Sequence, residues 1–457
     1  MSCLRTGRAI GSLCLIVLPG CVLTPRGTAV ERERLASAGE KYERHAAEEL
    51  PDPGVSPDWR VLLHRAFLAN GELEAAYFDW KAALERIDIA AGWPNTNVSL
   101  GYQYMFSPGR MKAWDRSTVS IGFDPMQNLS LPPKVIAQGH VALEEARAAG
   151  RRFEAAKFDL QRRVLEAYFD LAATQARRDL AREDAALSGA LGRAAAAQID
   201  AGAQLALARA DMARAVADDD VARLETELRR KRSVLNAMVA RDPDAPLDLP
   251  TVEPRPLPAD DDALLALGVE NNPELAVLAS QVAGREDALD LARLQYLPDI
   301  NPFAAFTGNS IQVAGIAVSL ATQLPQIWAG IDQAEALLRG SRAMLAQKRR
   351  DQAAAFVAAL YGLRDAERQR ELLRTRLLPA ASMAQRSARV QYEAGSLELT
   401  ELIEAERAPL RVQVLLADVA ALREARLAEL EQLAGIDVET LQDGAALPVA
   451  SSAEASR

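Results

Sequence analysis

Two zones of the chain alternate apolar and polar positions with the two-residue period of a β-strand. In the first zone the alternation runs from Val98 to Phe106 and again from Thr118 to Phe123. In the second zone it is clear from Ala314 to Leu320 and weak from Asn301 to Phe306. Successive side chains of a strand point to opposite faces, so the pattern predicts two pairs of strands, each strand with one apolar face.

Each strand zone is followed by a helix-like stretch far longer than a globular helix. These stretches run from about Ala137 to Asp200 and from about Gly330 to Glu393, and within them the only proline is Pro379. Each would measure about 95 Å as a continuous helix at 1.5 Å per residue. Proline lacks an N–H donor and its ring clashes with the preceding turn. We therefore expect Pro379 to kink its helix or to mark a short break.

A glycine closes each long stretch, Gly202 in the first half and Gly395 in the second. Helix-like sequence then resumes and continues to about Val239 and to about Gly435. Glycine accepts the left-handed backbone conformation that ends a helix and reverses the chain. Each half therefore predicts a long helix, a glycine break and a second helix.

The two halves of the chain also share sequence. Leu62–Leu73 matches Leu264–Leu275, and Gln198–Leu207 matches Gln391–Thr400. Between the halves, Asp242 to Pro258 contains six prolines, which is typical of an extended linker. Internal repetition of this kind indicates a duplicated unit of a helix, two strands, a long helix, a glycine break and a second helix.

The predicted organisation divides the chain into six segments. They are a signal peptide (1–20), an N-terminal extension (21–60), a first repeat (61–241; strands about 95–131, hairpin about 135–240), a proline-rich linker (242–259), a second repeat (260–440; strands about 300–323, hairpin about 326–435) and a disordered tail (441–457). The expected fold class is mainly α with a small β part.

Four strands cannot close a membrane barrel, because the smallest such barrels have eight, and lipid does not tolerate an open sheet edge. If these strands span a membrane, several chains must share one barrel. A coiled-coil scaffold in solution would explain the helices but not the paired strand zones.

Composition and charge exclude several classes of function. The net charge of −10 argues against a nucleic-acid partner. The sequence shows no phosphate-binding glycine loop, nucleophile elbow or paired-cysteine metal site. We therefore expect no enzyme activity, no cofactor and no metal site. After the signal segment there is no run of 18 apolar residues, so no membrane-spanning helix is expected.

The start of the chain has the form of a targeting segment. Arg5 and Arg8 precede a short apolar stretch that ends in Leu18-Pro19-Gly20-Cys21. This ending resembles the lipobox of bacterial lipoproteins, in which the cysteine is lipidated, although Pro19 is atypical there. An ordinary secretory signal is the alternative. Val22 after the cysteine, in place of aspartate, suggests the outer membrane by analogy with that class.

Together these segments resemble the TolC-like family of outer-membrane efflux channels, many of which are lipoproteins. The resemblance rests on three stretches, Asn271–Ile300, Leu324–Leu338 and Gln391–Leu410, and on the ending Glu424–Ile436. With the duplication it covers roughly residues 60 to 440.

The resemblance implies a homotrimer in which each chain gives four strands to a twelve-stranded β-barrel and its helices to a periplasmic α-barrel. Such a protein lies in the outer membrane, in contact with lipid, with a periplasmic helical extension and a lipid anchor at Cys21. It would act as a passive conduit opened by a periplasmic adaptor (membrane fusion protein) and an inner-membrane pump, most simply of the RND type. The alternative is a periplasmic, lipid-anchored coiled-coil adaptor or scaffold, which should show one hairpin instead of two.

The resemblance also implies a site at each hairpin turn. The turns meet the adaptor in this family, and the inner helix of the second hairpin carries acids six and nine positions after its glycine, which narrow the pore and favour cations. The pore acids are then Glu401 and Glu404, whose three-residue spacing puts them on one helix face. The adaptor-contact residues implied are Ala201, Gly202, Ala203, Ala394, Gly395 and Ser396.

Overall fold

The structure is a computed structural model of the 457-residue chain. It describes residues 22–43, 50, 52–92, 98–106, 112, 114–123, 129–196, 203–250, 254–256, 271–307, 310–319 and 322–436. The chain is mostly helical with few strands, as expected. Among the described residues, no helix has both the length and the apolar character needed to cross a membrane.

The described helices and strands follow one another in this order: α1 (Thr28–Glu43), α2 (Trp59–Ala69), α3 (Gly71–Ala90), β1 (Val98–Tyr104), β2 (Ser117–Phe123), α4 (Pro132–Ala196), α5 (Ala203–Met238), α6 (Pro273–Arg293), β3 (Asp299–Thr307), β4 (Ser310–Ser319), α7 (Leu324–Leu372), α8 (Leu378–Glu393) and α9 (Leu399–Ala434). Short 3₁₀ turns occur at Trp114–Arg116 and Leu294–Tyr296. Among the described residues of the N-terminal extension, α1 is a helix that the sequence did not predict.

The chain forms two compact units that interleave both halves of the sequence. One consists of Met1–Arg32, Ala82–Ala146 and Ala283–Arg339, and the other of Glu33–Lys81, Arg147–Val282 and Gly340–Arg457. The first unit contains the whole sheet, and the second contains most of the helical hairpins. We call them the sheet unit and the hairpin unit.

In the sheet unit the four strands form one antiparallel sheet in the order β1-β2-β3-β4. Tyr102 lies opposite Val119, which lies opposite Phe306, so one face can be followed across the strands. At one end of the sheet, the helix-side end, the chain continues into α3, α4, α6 and α7. At the other, the turn-side end, β1 connects to β2 and β3 to β4.

The two sheet faces differ in polarity, as the alternation predicts. The apolar face carries Leu100, Tyr102, Val119, Ile316 and Val318, all exposed in the single chain. On the opposite face Thr118 and Thr307 form a cross-strand hydroxyl hydrogen bond of 2.8 Å. The sheet therefore leaves its apolar face uncovered by the described part of its own chain.

The weakly predicted strand β3 is an inner strand. Pro302, which has no N–H to donate, lies opposite Ile316 of β4. The pairing of β3 with β2 covers only Phe303 to Thr307, so it does not include Pro302. A proline is tolerated in a sheet where it interrupts no ladder bond. The start of β3 is fixed to α4 by an ion pair of 2.9 Å between Asp299 and the buried Lys134.

In the hairpin unit, apolar residues of the long helices pack in narrow clusters. Tyr42, Tyr77, Trp80 and Phe153 form an aromatic group with ring centroids 5.1–6.2 Å apart. A second cluster joins α7 to the end of α9 and contains Phe356, Ala359, Leu360, Leu363, Leu427, Leu430, Leu433, Ala434 and Ile436. Small alanines among these side chains let the helices approach closely.

Two asparagines make equivalent contacts at matching places in the two halves. The side chain of Asn70 accepts from the N–H groups of Glu72 and Leu73 and donates to Met238 O near the end of α5. Asn272 likewise accepts from Leu275 N–H, and it donates to Leu433 O near the end of α9. Each asparagine caps a helix and ties it to the last turn of the hairpin in its own half.

Pro379 is accommodated by a local change of helix type. The five residues Leu373–Leu377 form a π-helical turn between α7 and α8, and Pro379 lies in the first turn of α8. The wider turn removes the carbonyl that a proline ring would meet in a regular α-helix. The break expected at Pro379 is thus a π-helical turn, and no chain reversal occurs there.

The proline-rich linker is held firmly to the helices by buried charge. Arg255 donates to Glu424 at 2.8 Å and to both oxygens of Glu431 at 2.9 and 3.0 Å, while its carbonyl accepts from Arg423. Its guanidinium also lies 5.5 Å from the ring centre of Trp59. All four charged side chains are buried. The desolvation of these charges offsets much of their attraction, so the buried ion pair by itself contributes little net stability.

Burial raises the pKa of Glu431, and the nearby charge of Glu424 raises it further, against the opposing effect of Arg255. A carboxyl whose pKa is raised in the folded state contributes stability below its unfolded pKa, near 4.5, and loses it as the pH rises through the folded value. The buried linker contact therefore carries a cost of ionisation at neutral pH.

We expect Glu431→Gln to change the pH dependence of unfolding. As the pH rises above about 4.5, the parent should lose stability relative to this variant, because only the parent must ionise a buried carboxyl. Urea unfolding at a series of pH values measures the difference. Glu429→Gln is the control, since Glu429 is partly exposed and pairs with Arg426 at 2.6 Å. A parent that gains stability over Glu431→Gln as the pH rises would contradict the assignment.

Candidate functional site at the second hairpin

The turn between α8 and α9 is a Schellman motif centred on Gly395. Gly395 has φ +74°, its N–H donates to Tyr392 O at 3.0 Å, and the N–H of Ser396 donates to Gln391 O at 2.9 Å. The hydroxyl of Ser396 donates to the same carbonyl at 3.0 Å. A Cβ on Gly395 would meet nothing within 4 Å, so the backbone conformation alone requires glycine there. Ala394 is the C-cap residue of α8.

Glu401 and Glu404 lie in the first two turns of α9, and both are exposed. Glu404 pairs with Arg411 at 2.9 Å, with about three fifths of each side chain in solvent. An exposed pair of this kind contributes little to stability. Both carboxylates are thus free of the chain's own core, and their pore role remains a prediction.

A buried acid that sequence reasoning missed lies on another face of the same helix. Glu406 is 5% exposed. Its carboxylate accepts hydrogen bonds of 2.7–3.0 Å from Nε and Nη2 of Arg389 and one of 2.7 Å from Nε2 of Gln385. Its two donors lie on α8, so this carboxylate clamps the two arms of the hairpin. Only the register across the turn reveals the pairing, because the partners are 17 and 21 residues away in sequence.

Arg407 connects the second hairpin to the first. Its Nε donates to Asp184 Oδ1 and its Nη2 to Ser188 Oγ, both at 2.7 Å, and the Ser188 hydroxyl donates to Asp184 O at 2.8 Å. The guanidinium of Arg407 is therefore engaged with α4 of its own chain.

The first hairpin turn is only partly described. Ala201 and Gly202 lie outside the described residues, and Ala203 is the first residue of α5. The positions six and nine after Gly202 are Ala208 and Asp211, and both are exposed. Cys21 likewise lies outside the described residues, so the structure leaves its lipidation as a prediction. In the described part of the chain, no group of three or more His, Cys, Asp or Glu residues could hold a metal ion.

Comparison with known proteins identifies the fold. No protein-family model matches the sequence, and no curated protein matches it. Among solved structures the chain is similar to a membrane protein from Pseudomonas aeruginosa (TM-score 0.71, 20% identity, 85% of this chain and 92% of that one). It is also similar to the outer membrane protein VceC from Vibrio cholerae (0.68, 15%, 82% and 96%) and to the open state of the MtrE outer membrane channel of Neisseria gonorrhoeae (0.67, 17%, 86% and 94%).

The chain therefore has the TolC-like fold of these outer-membrane channels, and the expected mainly α fold with a small β part is confirmed. The identities are 15–20% over more than four fifths of the chain, and at this level the comparisons establish the fold alone. The residues of the site are described from this chain.

The clamp at Glu406 yields a prediction with a matched control two residues away. Glu406→Ala should destabilise the hairpin by about 1–2 kcal/mol, because it removes the charge-assisted hydrogen bonds that join α8 to α9, although the 60% exposed side chain of Arg389 can then bind water. Glu404→Ala removes an exposed ion pair and should cost less than about 1 kcal/mol. Hydrogen exchange of the amides near Gly395 and thermal unfolding measure both. Equal effects of the two substitutions would show that Glu406 does not clamp the hairpin.

Proposed function

We propose that this chain is the outer-membrane channel of a tripartite efflux system, a passive conduit without catalytic activity. The observation that carries the proposal is the four-stranded sheet in the sheet unit. Its outer strands β1 and β4 are paired on one side only within the described residues. Its apolar face bears Leu100, Tyr102, Ile316 and Val318, each between 55 and 74% exposed. An apolar face and two free edges suit a sheet that is completed by other copies in lipid.

Three copies would give twelve strands and remove every edge. Within the described residues, the second hairpin also bears uncovered apolar side chains, which supports the same assembly. Tyr361, Leu372, Met383 and Val390 lie along α7 and α8, and all are exposed. Val164–Leu171 in the first half matches Phe356–Leu363 in the second, which aligns Tyr168 with Tyr361. Tyr168 is fully buried in the first hairpin. A neighbouring copy in a homotrimer would cover these exposed side chains.

The aromatic residues of the sheet unit support a membrane position. Tyr296 and Trp328 are exposed at the helix-side end, and Phe106 and Trp114 are exposed at the turn-side end. The nine residues of β3 between these ends span about 30 Å at 3.3–3.4 Å per residue. Aromatic rings at two levels this far apart match the two interfaces of a bilayer.

The segment that follows Cys21 supports a lipid anchor at the helix-side end. Leu23 N–H donates to Ala91 O at 2.9 Å, and a Cβ on Gly139 would come within 3.0 Å of the Pro25 ring. The chain just after Cys21 is thereby fixed near the point where the helices enter the sheet. A lipid on Cys21 would reach the inner leaflet of the outer membrane from there.

The remaining parts of the proposal concern the hairpins. Ala201, Gly202, Ala203, Ala394, Gly395 and Ser396 would contact a periplasmic adaptor, which in turn joins an RND-type inner-membrane pump. Glu401 and Glu404 from three chains would place six carboxylates around the pore axis. Six negative charges around one axis would attract cations into the pore.

The double variant Glu401→Gln/Glu404→Gln tests this function. In planar bilayers the parent should form cation-selective pores that divalent cations block from the helical side. The variant should keep its fold, lose much of the cation preference and be blocked less, because it lacks charge at nearly unchanged volume. Glu398→Gln, which removes the exposed carboxylate before α9, is the control. Pores with unchanged selectivity and block would place both glutamates outside the conduit, and absence of any conductance would contradict the channel itself.

A further inference from the structure

The start of α9, from Leu399 to Arg411, carries three acids and two bases that differ in how they are paired. Two of these five side chains are engaged with neighbouring helices, since Glu406 accepts from Arg389 on α8 and Arg407 donates to Asp184 on α4. Their charges are therefore balanced by partners outside α9. The other three charges are those that this helix presents to solvent.

Glu404 and Arg411 balance each other within α9. Nη1 of Arg411 donates to Oε2 of Glu404 at 2.9 Å. Residues seven apart lie within about 20° of two full turns, so both side chains are on one face and the arginine reaches back along about 10.5 Å of helix. Both side chains are largely exposed, so their pairing adds little stability. The charges still cancel, because a passing ion meets a dipole whose field falls off faster than that of a single charge.

Glu401 has no such counter-charge. It is exposed in the first turn of α9, and within the described part of the chain its carboxylate forms no ion pair and accepts no hydrogen bond. The position seven residues further on, which corresponds to that of Arg411 relative to Glu404, is occupied by Ala408. The positions three and four residues to either side of Glu401 also contain no base. Of the two acids proposed for the pore, only Glu401 therefore keeps an uncompensated charge.

We propose that Arg411 is a specificity-determining residue of the conduit, because it neutralises the ring of Glu404 and leaves the ring of Glu401 to set the cation preference. This inference rests on the proposed function, which puts both glutamates around the pore axis. With three chains, the Glu401 ring would carry three negative charges, whereas the ring of Glu404 and Arg411 would carry none. A passing cation would then be attracted by one acidic ring instead of two, so Arg411 holds the selectivity of the pore below what its acids alone would give.

Reversal potentials of the full-length protein in planar bilayers under a potassium chloride gradient test the assignment. Arg411→Gln should raise the ratio of potassium to chloride permeability about twofold, because it frees the charge of Glu404. Glu404→Gln should lower the ratio below that of the parent, because it leaves Arg411 without its acid. The double variant Glu404→Gln/Arg411→Gln should return to the parent ratio. Arg411→Lys, which keeps the charge, should match the parent. Arg349→Gln, which removes an exposed cation from the middle of α7, is the control for overall charge.

Each outcome decides the proposal. An Arg411→Gln pore or a Glu404→Gln pore with the parent ratio would overturn it, and so would an Arg349→Gln pore that shifts the ratio as much as Arg411→Gln does. Thermal unfolding of the variants separates a charge effect from a folding defect, and the return of the double variant to the parent ratio requires intact pores. Glu401→Gln separates this inference from the proposed function. If it abolishes the cation preference while Arg411→Gln changes nothing, only the role of Arg411 is refuted, whereas a parent without conductance or cation preference refutes both.

Discussion

The outer edges of the four-stranded sheet set the strongest constraint on this molecule. Among the described residues, no strand pairs with the outer side of β1 or of β4, and the apolar face between these edges is uncovered. Unpaired backbone groups beside an apolar surface cannot enter lipid, and in water such an edge invites association. A position in lipid would therefore require further strands. The proposals on assembly, membrane position and conduit all follow from the need to complete this sheet.

In the hairpin unit, long alanine-rich helices are held in register by charged contacts as well as by narrow apolar clusters. These charged contacts lie at separate positions along the helices. Glu406 joins α8 to α9, Arg407 joins α9 to α4, and Arg255 joins the linker to α9. Three separate partners thus converge on α9. A helix held this way has its position fixed by directional contacts, while its face with Glu401 and Glu404 stays available to other molecules.

Much of the fold was readable from the sequence because it depends on periodicity and on backbone chemistry. The alternation around Tyr102 and Ile316 predicted strands, and the glycine at 395 predicted a turn with positive φ. Strand β3 was harder to predict, since Pro302 and Asn301 weaken its pattern, and only the register shows that the proline breaks no pairing with β2.

The contacts that fix the candidate site were not readable in the same way. The pairing of Glu406 with Arg389 depends on how two helices align across a turn, and that of Arg407 with Asp184 depends on how two hairpins pack. Likewise, the six prolines suggested an extended linker but gave no sign that Arg255 would be buried between two glutamates. The local sequence pattern specifies a helix or a strand, whereas the partner of each charged side chain is specified by tertiary packing.

The central claim, that β1 of one chain pairs with β4 of another, can be tested by disulfide crosslinking. The mature chain would have no cysteine apart from Cys21, so a disulfide detected in a variant must come from the introduced cysteines. Cysteine at Leu100 is combined in turn with cysteine at Ile316, Ala317 and Val318. Within one chain these positions are three strand spacings apart, about 14 Å, beyond the reach of a disulfide. The Leu100–Ile121 pair, which lies opposite within one chain, serves as the oxidation control. The account predicts covalent dimers and trimers on a denaturing gel for at least one combination. Monomers alone in every combination, with the control pair oxidised, would contradict it.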